Sequence, residues 1–241
     1  MALGPGRLGA VDSWSTVAAV NNAEWCDCVC RAQGVETRFD ENAWTGRTRT
    51  PPFYPDAVTL VPTPAIARLL SRIDTSAGCS IKDSFAALDL RDHGFRVLFD
   101  AHWIVRPTAV PPPPEAGPRW ETVQDGDELA SWEQAWRGDH GPTGIFGAEL
   151  LNVASVTIVG ARRGGRVVAG AVLSGTSSVV GISNFFADAD AAAGWSGCLR
   201  LVTSLFPAAT VVGYESGEAL VAARRHGFVT AGPLRVWILE S

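Results

Sequence analysis

The chain has no surplus of positive charge. Its 241 residues hold 20 Lys and Arg against 25 Asp and Glu, a formal net charge of −5. The basic field that draws nucleic acid or anionic lipid is missing, so neither class of partner is expected. No apolar run reaches bilayer-spanning length, which removes a transmembrane helix from the expectations. Residues 1–7 read without the apolar stretch of a signal peptide, and a cytoplasmic location is expected. Charge of either sign is scarce, at 19%, while hydrophobic residues make up 46%. That balance excludes a disordered chain and supports a substantial core. The five cysteines lack the loop spacing of structural zinc sites. Cys26, Cys28 and Cys30 share one helical stretch, Cys79 and Cys198 stand alone, and no metal is expected.

What the chain does have is a repeat and an abundance of Trp. Residues 87–95 (Ala-Leu-Asp-Leu-Arg-Asp-His-Gly-Phe) are echoed by 220–228 (Leu-Val-Ala-Ala-Arg-Arg-His-Gly-Phe). Each copy is followed by a Trp-Ile pair, Trp103-Ile104 and Trp237-Ile238. Both read as a helix, a glycine stop and a closing strand, which suggests two related units. Nine tryptophans are more than one small core ordinarily needs, and Trp also lines ligand clefts.

Periodicity and punctuation predict a helix over 13–33, ended by Gly34. Asp40 caps a short turn carrying Trp44. Residues 47–55 form a Pro-stiffened extended segment, either a connector or a cleft lining. A strand at 57–61, a helix at 64–73, a strand at 79–82, a helix at 84–93 and a strand at 95–105 follow. Four consecutive prolines, Pro111 to Pro114, mark a linker. Beyond it come a strand at 119–123, a helix capped by Asp125 or Asp127 through Trp132 and Trp136, and a short helix ending near Leu151. A three-strand meander is predicted at 153–161, 167–173 and 179–186. A Gly/Ala-rich loop at 187–197, a helix at 198–206, a strand at 211–215, a helix at 218–226 and a final strand at 228–239 complete the reading. The expected organisation is a flexible N-terminus over 1–12, a partial unit over 13–108, a linker over 109–118 and a full domain over 119–241.

This order of elements resembles the GCN5-related N-acetyltransferase (GNAT) superfamily. The resemblance rests on Val167-Val168-Ala169-Gly170-Ala171, on Val211-Val212-Gly213-Tyr214-Glu215, and on the helix-to-strand exit Ala222 to Phe228. It implies an α+β tandem GNAT-like fold, a mixed central sheet flanked by helices, with a truncated first copy. It implies acetyl-CoA or another acyl-CoA as donor, lying where the fourth and fifth strands of the domain splay apart. The function so implied is acyl transfer to a small-molecule amine, the alternative being a non-catalytic or repurposed GNAT-like module that binds a small ligand or a protein partner. A homodimer stays open. On the implied cofactor side stand the fourth-strand residues Phe185 and Phe186, and Gly194, Ser196 and Gly197 before the next helix. The phosphate loop departs from the family pattern, with Ala191 or Ala192 in place of its cation or amide and two aspartates nearby.

Glu215 ends a strand at the expected fork, where a carboxylate acts as general base or simply caps the next helix. Asn184, taken with Glu215 as a candidate catalytic residue, and Ser183 are polar residues on an apolar strand, facing a ligand or forming a bulge. Trp132 and Trp136, one helical turn apart, wall a substrate pocket or pack the two units together. His140 and Asp139, in a loop at the substrate entrance, either shuttle protons as a pair or belong to a plain solvated loop. Arg49, Tyr54, Lys82 and Asp83 form a polar cluster in the first unit suited to an anion, or else plain surface ion pairs. Tyr214 reads as core.

Overall fold

The computed structural model describes residues 13–115, 117–138, 143–188 and 190–240. Its first element, α1 (Trp14–Ala32), starts where the Ser13 hydroxyl accepts the Thr16 N–H and stops before Gly34, whose φ is +73°. A short antiparallel hairpin follows, β1 (Thr37–Phe39) and β2 (Ala43–Gly46), then β3 (Ala57–Thr59), α2 (Ile66–Leu70), β4 (Ser80–Asp83) and β5 (Phe95–Arg106). The hairpin was not foreseen. Its turn is held by the Asp40 carboxylate, which accepts the Asn42 and Ala43 N–H groups, so the cap expected at Asp40 closes a strand pair instead of a lone turn.

The helix expected over 84–93 is absent except for one 3-10 turn at Arg91–His93. The Asp83 carboxylate takes the Phe85 and Leu88 N–H groups, and Ala86 has a φ of +50°. Local side-chain bonding has displaced the helical ladder there.

After the proline segment the observed order is β6 (Trp120–Thr122), α3 (Gly126–Arg137), a 3-10 turn at Ala148–Asn152, β7 (Val156–Arg163), β8 (Arg166–Gly175), β9 (Val179–Ala187), α4 (Ala191–Leu205), β10 (Thr210–Glu215), α5 (Gly217–Arg225) and β11 (Val229–Leu239). The order matches expectation, but α4 begins seven residues before the predicted start at 198. Asp190 caps it by accepting the Ala193 N–H at 2.9 Å, and the three alanines that follow are strong helix formers.

The eleven strands among the described residues lie in one mixed sheet, ordered β1-β2-β3-β4-β11-β5-β10-β9-β8-β7-β6. The two longest strands pair antiparallel at its centre, Phe95 facing Leu239 and Val105 facing Val229. Each also pairs with a strand from the opposite half of the chain: β5 with β10, His102 opposite Glu215, and β11 with β4, Arg235 opposite Asp83. The last strand of each half is thus inserted into the other half's sheet. Strand alternation sends Ala169, Ala171 and Leu173 to one face, under Trp195, Leu199 and Val202 of α4. It sends Ile158 and Val172 to the other face, under Trp25 of α1 and Trp132 of α3.

Candidate functional site

The sheet forks between β9 and β10. The two strands are parallel and paired only at Val179–Thr210, Val180–Val211 and Gly181–Val212. Beyond that point β9 carries a bulge. Ser183 faces Val172 and Phe186 faces Gly170, so the segment between them holds one residue more on β9 than on β8. Asn184 provides it with a φ of +52°, a left-handed conformation to which Asn is better suited than most residues. The extra residue turns β9 away from β10 and leaves one edge of its backbone facing the gap.

A cavity of about 250 Å³ fills the fork. Its walls include Trp25 of α1, Tyr54, Trp136 of α3, Asn184, Tyr214 and Glu215, with Lys82 of β4 also reaching it. Asn184 is fixed by its neighbours: its Oδ1 accepts from the Trp25 indole at 2.9 Å and from the Tyr54 hydroxyl at 3.4 Å. Trp25 stacks with Phe146 and meets Tyr54 edge-on. At the rim Phe53, with a φ of +72°, crosses Trp136 edge to face, ring centroids 5.5 Å apart.

Electrostatically the cavity has two poles. Burial pushes the Glu215 carboxyl up to about 7, into the range where a base both accepts and returns a proton at neutral pH. Burial also pushes the Cys26 thiol up to about 11 and the Tyr54 hydroxyl well above its ordinary value. Neither ionises near neutrality, so neither competes as a base or nucleophile. The second pole is Lys82, only 4% exposed. Its Nζ donates to the Asn22 side-chain oxygen at 2.6 Å and lies 4.2 Å from the centroid of the Tyr214 ring.

The expected site residues divide. Glu215, Asn184, Phe185, Trp136, Tyr54 and Lys82 meet at the cavity. Trp132 does not: it is fully buried, its indole donates to the Val159 carbonyl at 2.9 Å, and it packs edge-on against Phe186 on the covered face. Arg49 is turned away and paired with Asp56 at 2.7 Å. Asp83, fully buried with its carboxyl raised by burial, holds the loop after β4. The anion cluster expected in the first unit is therefore split, and only Tyr54 and Lys82 reach the fork. His140 lies outside the described residues.

Gly194, Ser196 and Gly197 sit inside α4, where a loop had been expected. A Cβ on Gly197 would overlap the Trp120 indole, and one on Gly194 would press on Ala187 and Phe185. Their small size serves helix-on-sheet packing. Trp195, 2% exposed, stacks on Phe185 at 4.1 Å within the core and does not line the fork cavity. The Ser196 hydroxyl lies 3.4 Å from the His226 ring, whose Nε2 is 3.1 Å from the Ala192 carbonyl oxygen. This ring bridges α4 to α5.

The diphosphate of an acyl-CoA needs free N–H groups at a helix N-terminus. At α4 the Asp190 carboxylate already occupies the Ala193 N–H, and neighbouring Asp188 is paired with Arg166. With Asp188 neutralised by Arg166, a dianion placed there would still meet the Asp190 carboxylate on the donor it needs, so the residues present do not fit the diphosphate.

Sequence reasoning missed Asn22 and Trp25. The signal was a pair of asparagines, Asn21 and Asn22, on the buried face of α1. Buried amides need partners. Asn21 spends its donor on the Ser174 carbonyl, and Asn22 holds Lys82.

No family model matches the chain, and no curated protein matches its sequence. Solved structures do match its fold. A GCN5-related N-acetyltransferase from Kribbella flavida superposes with a TM-score of 0.58 at 14% identity, covering 93% of this chain and 96% of that one. A GNAT-family acetyltransferase from Novosphingobium aromaticivorans gives 0.56 at 13% identity, covering 92% and 99%. A functionally unknown conserved protein from Staphylococcus epidermidis gives 0.51 at 11% identity, covering 86% and 95%. At these identities the likeness shows the fold: α+β, of GNAT type, with a mixed sheet flanked by helices.

Proposed function

We propose that the chain is an N-acyltransferase acting on a small-molecule amine held in the fork between β9 and β10, with Glu215 as the general base. The observation that carries this reading is Glu215 itself. It is a carboxyl that burial raises to about 7, at the end of a splayed strand, facing a cavity of amine size. An ammonium entering that cavity loses a proton to Glu215 and becomes a nucleophile. Trp25, Tyr54 and Trp136 exclude water and orient the amine. The two halves of the chain are read as related units whose closing strands are exchanged, the first a shortened copy of the second. Exchange supports the site, because it brings Lys82 and Tyr54 of the first half to the fork of the second.

The acidic cap of α4 favours a second reading. A GNAT fold with that cap has lost the diphosphate end of the donor site, and the fork then serves as a binding pocket for a small ligand. Calorimetry with acetyl-, succinyl- and longer acyl-CoAs separates the two. Binding of any of these, together with acyl transfer to an amine that Glu215→Gln slows at least tenfold, supports the transferase. Silence with all of them while amines still bind leaves the pocket and removes the CoA-dependent chemistry.

A further inference from the structure

Lys82 is a buried cation whose partners are an amide oxygen and an aromatic ring, not a carboxylate. Among the described residues none of the ion pairs includes it. Burying an ammonium without an anion is costly, and the cost is recovered only when an anion arrives. The ammonium has three N–H donors. Asn22 takes one and the Tyr214 ring faces the group from another side, which leaves donor capacity toward the cavity that Lys82 helps to line.

Glu215 lines the same cavity but is not the missing anion. Among the described residues no ion pair joins the two, and burial raises the Glu215 carboxyl. The cavity therefore presents a cation and a proton acceptor, and Trp25, Tyr54 and Trp136 line it as well. A bare amine satisfies only one of these poles. A ligand with an amino group at one end and an anion at the other satisfies both.

We propose that the ligand of the fork is an amine bearing a carboxylate, of the amino-acid class with an apolar or aromatic side chain, its carboxylate held by Lys82 and its amino group presented to Glu215. This assignment rests on the reading of the fork as an amine site. The anion selectivity comes from the first half of the chain, through β4 and the Asn22 amide on α1, whereas the base comes from the second.

The test is calorimetry on the full chain at pH 8 with matched pairs: L-phenylalanine against phenethylamine, and L-leucine against isoamylamine. In the wild-type protein the amino acid of at least one pair is expected to bind ten or more times tighter than its amine. Lys82→Met should erase that preference while leaving the affinity for the amine within about threefold. Should Lys82→Met fail to fold, Asn22→Asp serves in its place. It sets a carboxylate against the ammonium, and the same preference should disappear. Equal binding of amine and amino acid in both pairs overturns the proposal and leaves the amine site standing. No binding by any of the four compounds overturns the proposal and the amine reading together.

Discussion

Replacing Glu215 by Gln is expected to stabilise the protein above neutral pH and to leave its stability unchanged in acid. The carboxyl has an ordinary value of 4.5 and lies near 7 in the folded chain, raised by burial. Between those two values the folded state binds more protons than the unfolded state. The free energy of unfolding therefore falls as pH rises through that window, and the full penalty is in place once the folded group has ionised. At about 1.4 kcal/mol per pH unit, the gap sets a ceiling of about 3 kcal/mol. Water at the cavity mouth screens part of this, and about 2 kcal/mol is the working figure. Gln keeps the shape of the side chain and never ionises. The variant should match wild type below pH 4 and exceed it by about 2 kcal/mol above pH 7.5, or roughly 4–8 °C in melting temperature for a chain of this size. Thermal unfolding of both proteins in half-unit steps from pH 4 to pH 8.5 measures the difference directly. Every other titrating group is common to both proteins and cancels. A difference that stays flat across the range, or a Gln variant less stable at pH 8, would refute the assignment of Glu215 as a desolvated carboxyl without a compensating partner.

Two further substitutions test the architecture around the fork. Gly197→Ala, which in an open helix gains about 1 kcal/mol, should instead lower stability by about 1 to 3 kcal/mol, because the new methyl meets the Trp120 indole. A rise in melting temperature would return this residue to a ligand-facing role. At Asn184 the left-handed backbone predicts that Gly is tolerated better than Ala, by about 1 kcal/mol in urea unfolding. Equal stability of the two variants would mean that the bulge does not form.

Much of the second half was legible because its elements are long and strictly patterned. The alternation in β7 and β8, the apolar stripe of α5 and the Asp125 cap of α3 each point to one conformation. The failures came where local chemistry overrode pattern. Residues 84–93 have helical spacing, but Asp83 stands at their start and captures the Leu88 N–H, which a helix would have given to the Ser84 carbonyl. Residues 191–197 look like a glycine-rich loop, yet Asp190 caps them and Trp120 requires the glycine. In the first half the hairpin strands are three and four residues long, too short for periodicity to register. Of the site, Glu215 and Asn184 could be placed from their positions on strands. The division of the first-unit cluster could not, because Arg49 and Asp56 are seven positions apart in the chain and their ion pair exists only once 47–55 folds back on itself.

The fork also explains why the two halves exchange their last strands. In an isolated second half β10 would present a bare edge where β5 now pairs with it, and the face over Tyr214 would open to water. Insertion of β5 places Trp103 against Tyr214, rings edge to face at 5.7 Å, which supports the ring beneath the Lys82 ammonium. The paired insertion of β11 beside β4 sets Val236 opposite Lys82 and fixes the height at which that side chain crosses the sheet. The cation thus depends on two strand registers, one from each half, and a slip of one residue in either would turn its partner to the other face. A charge needed only for stability would not call for such support, since an apolar side chain in its place would pack at least as well. The support makes sense for a charge that must stand at one point in a pocket and wait for a ligand.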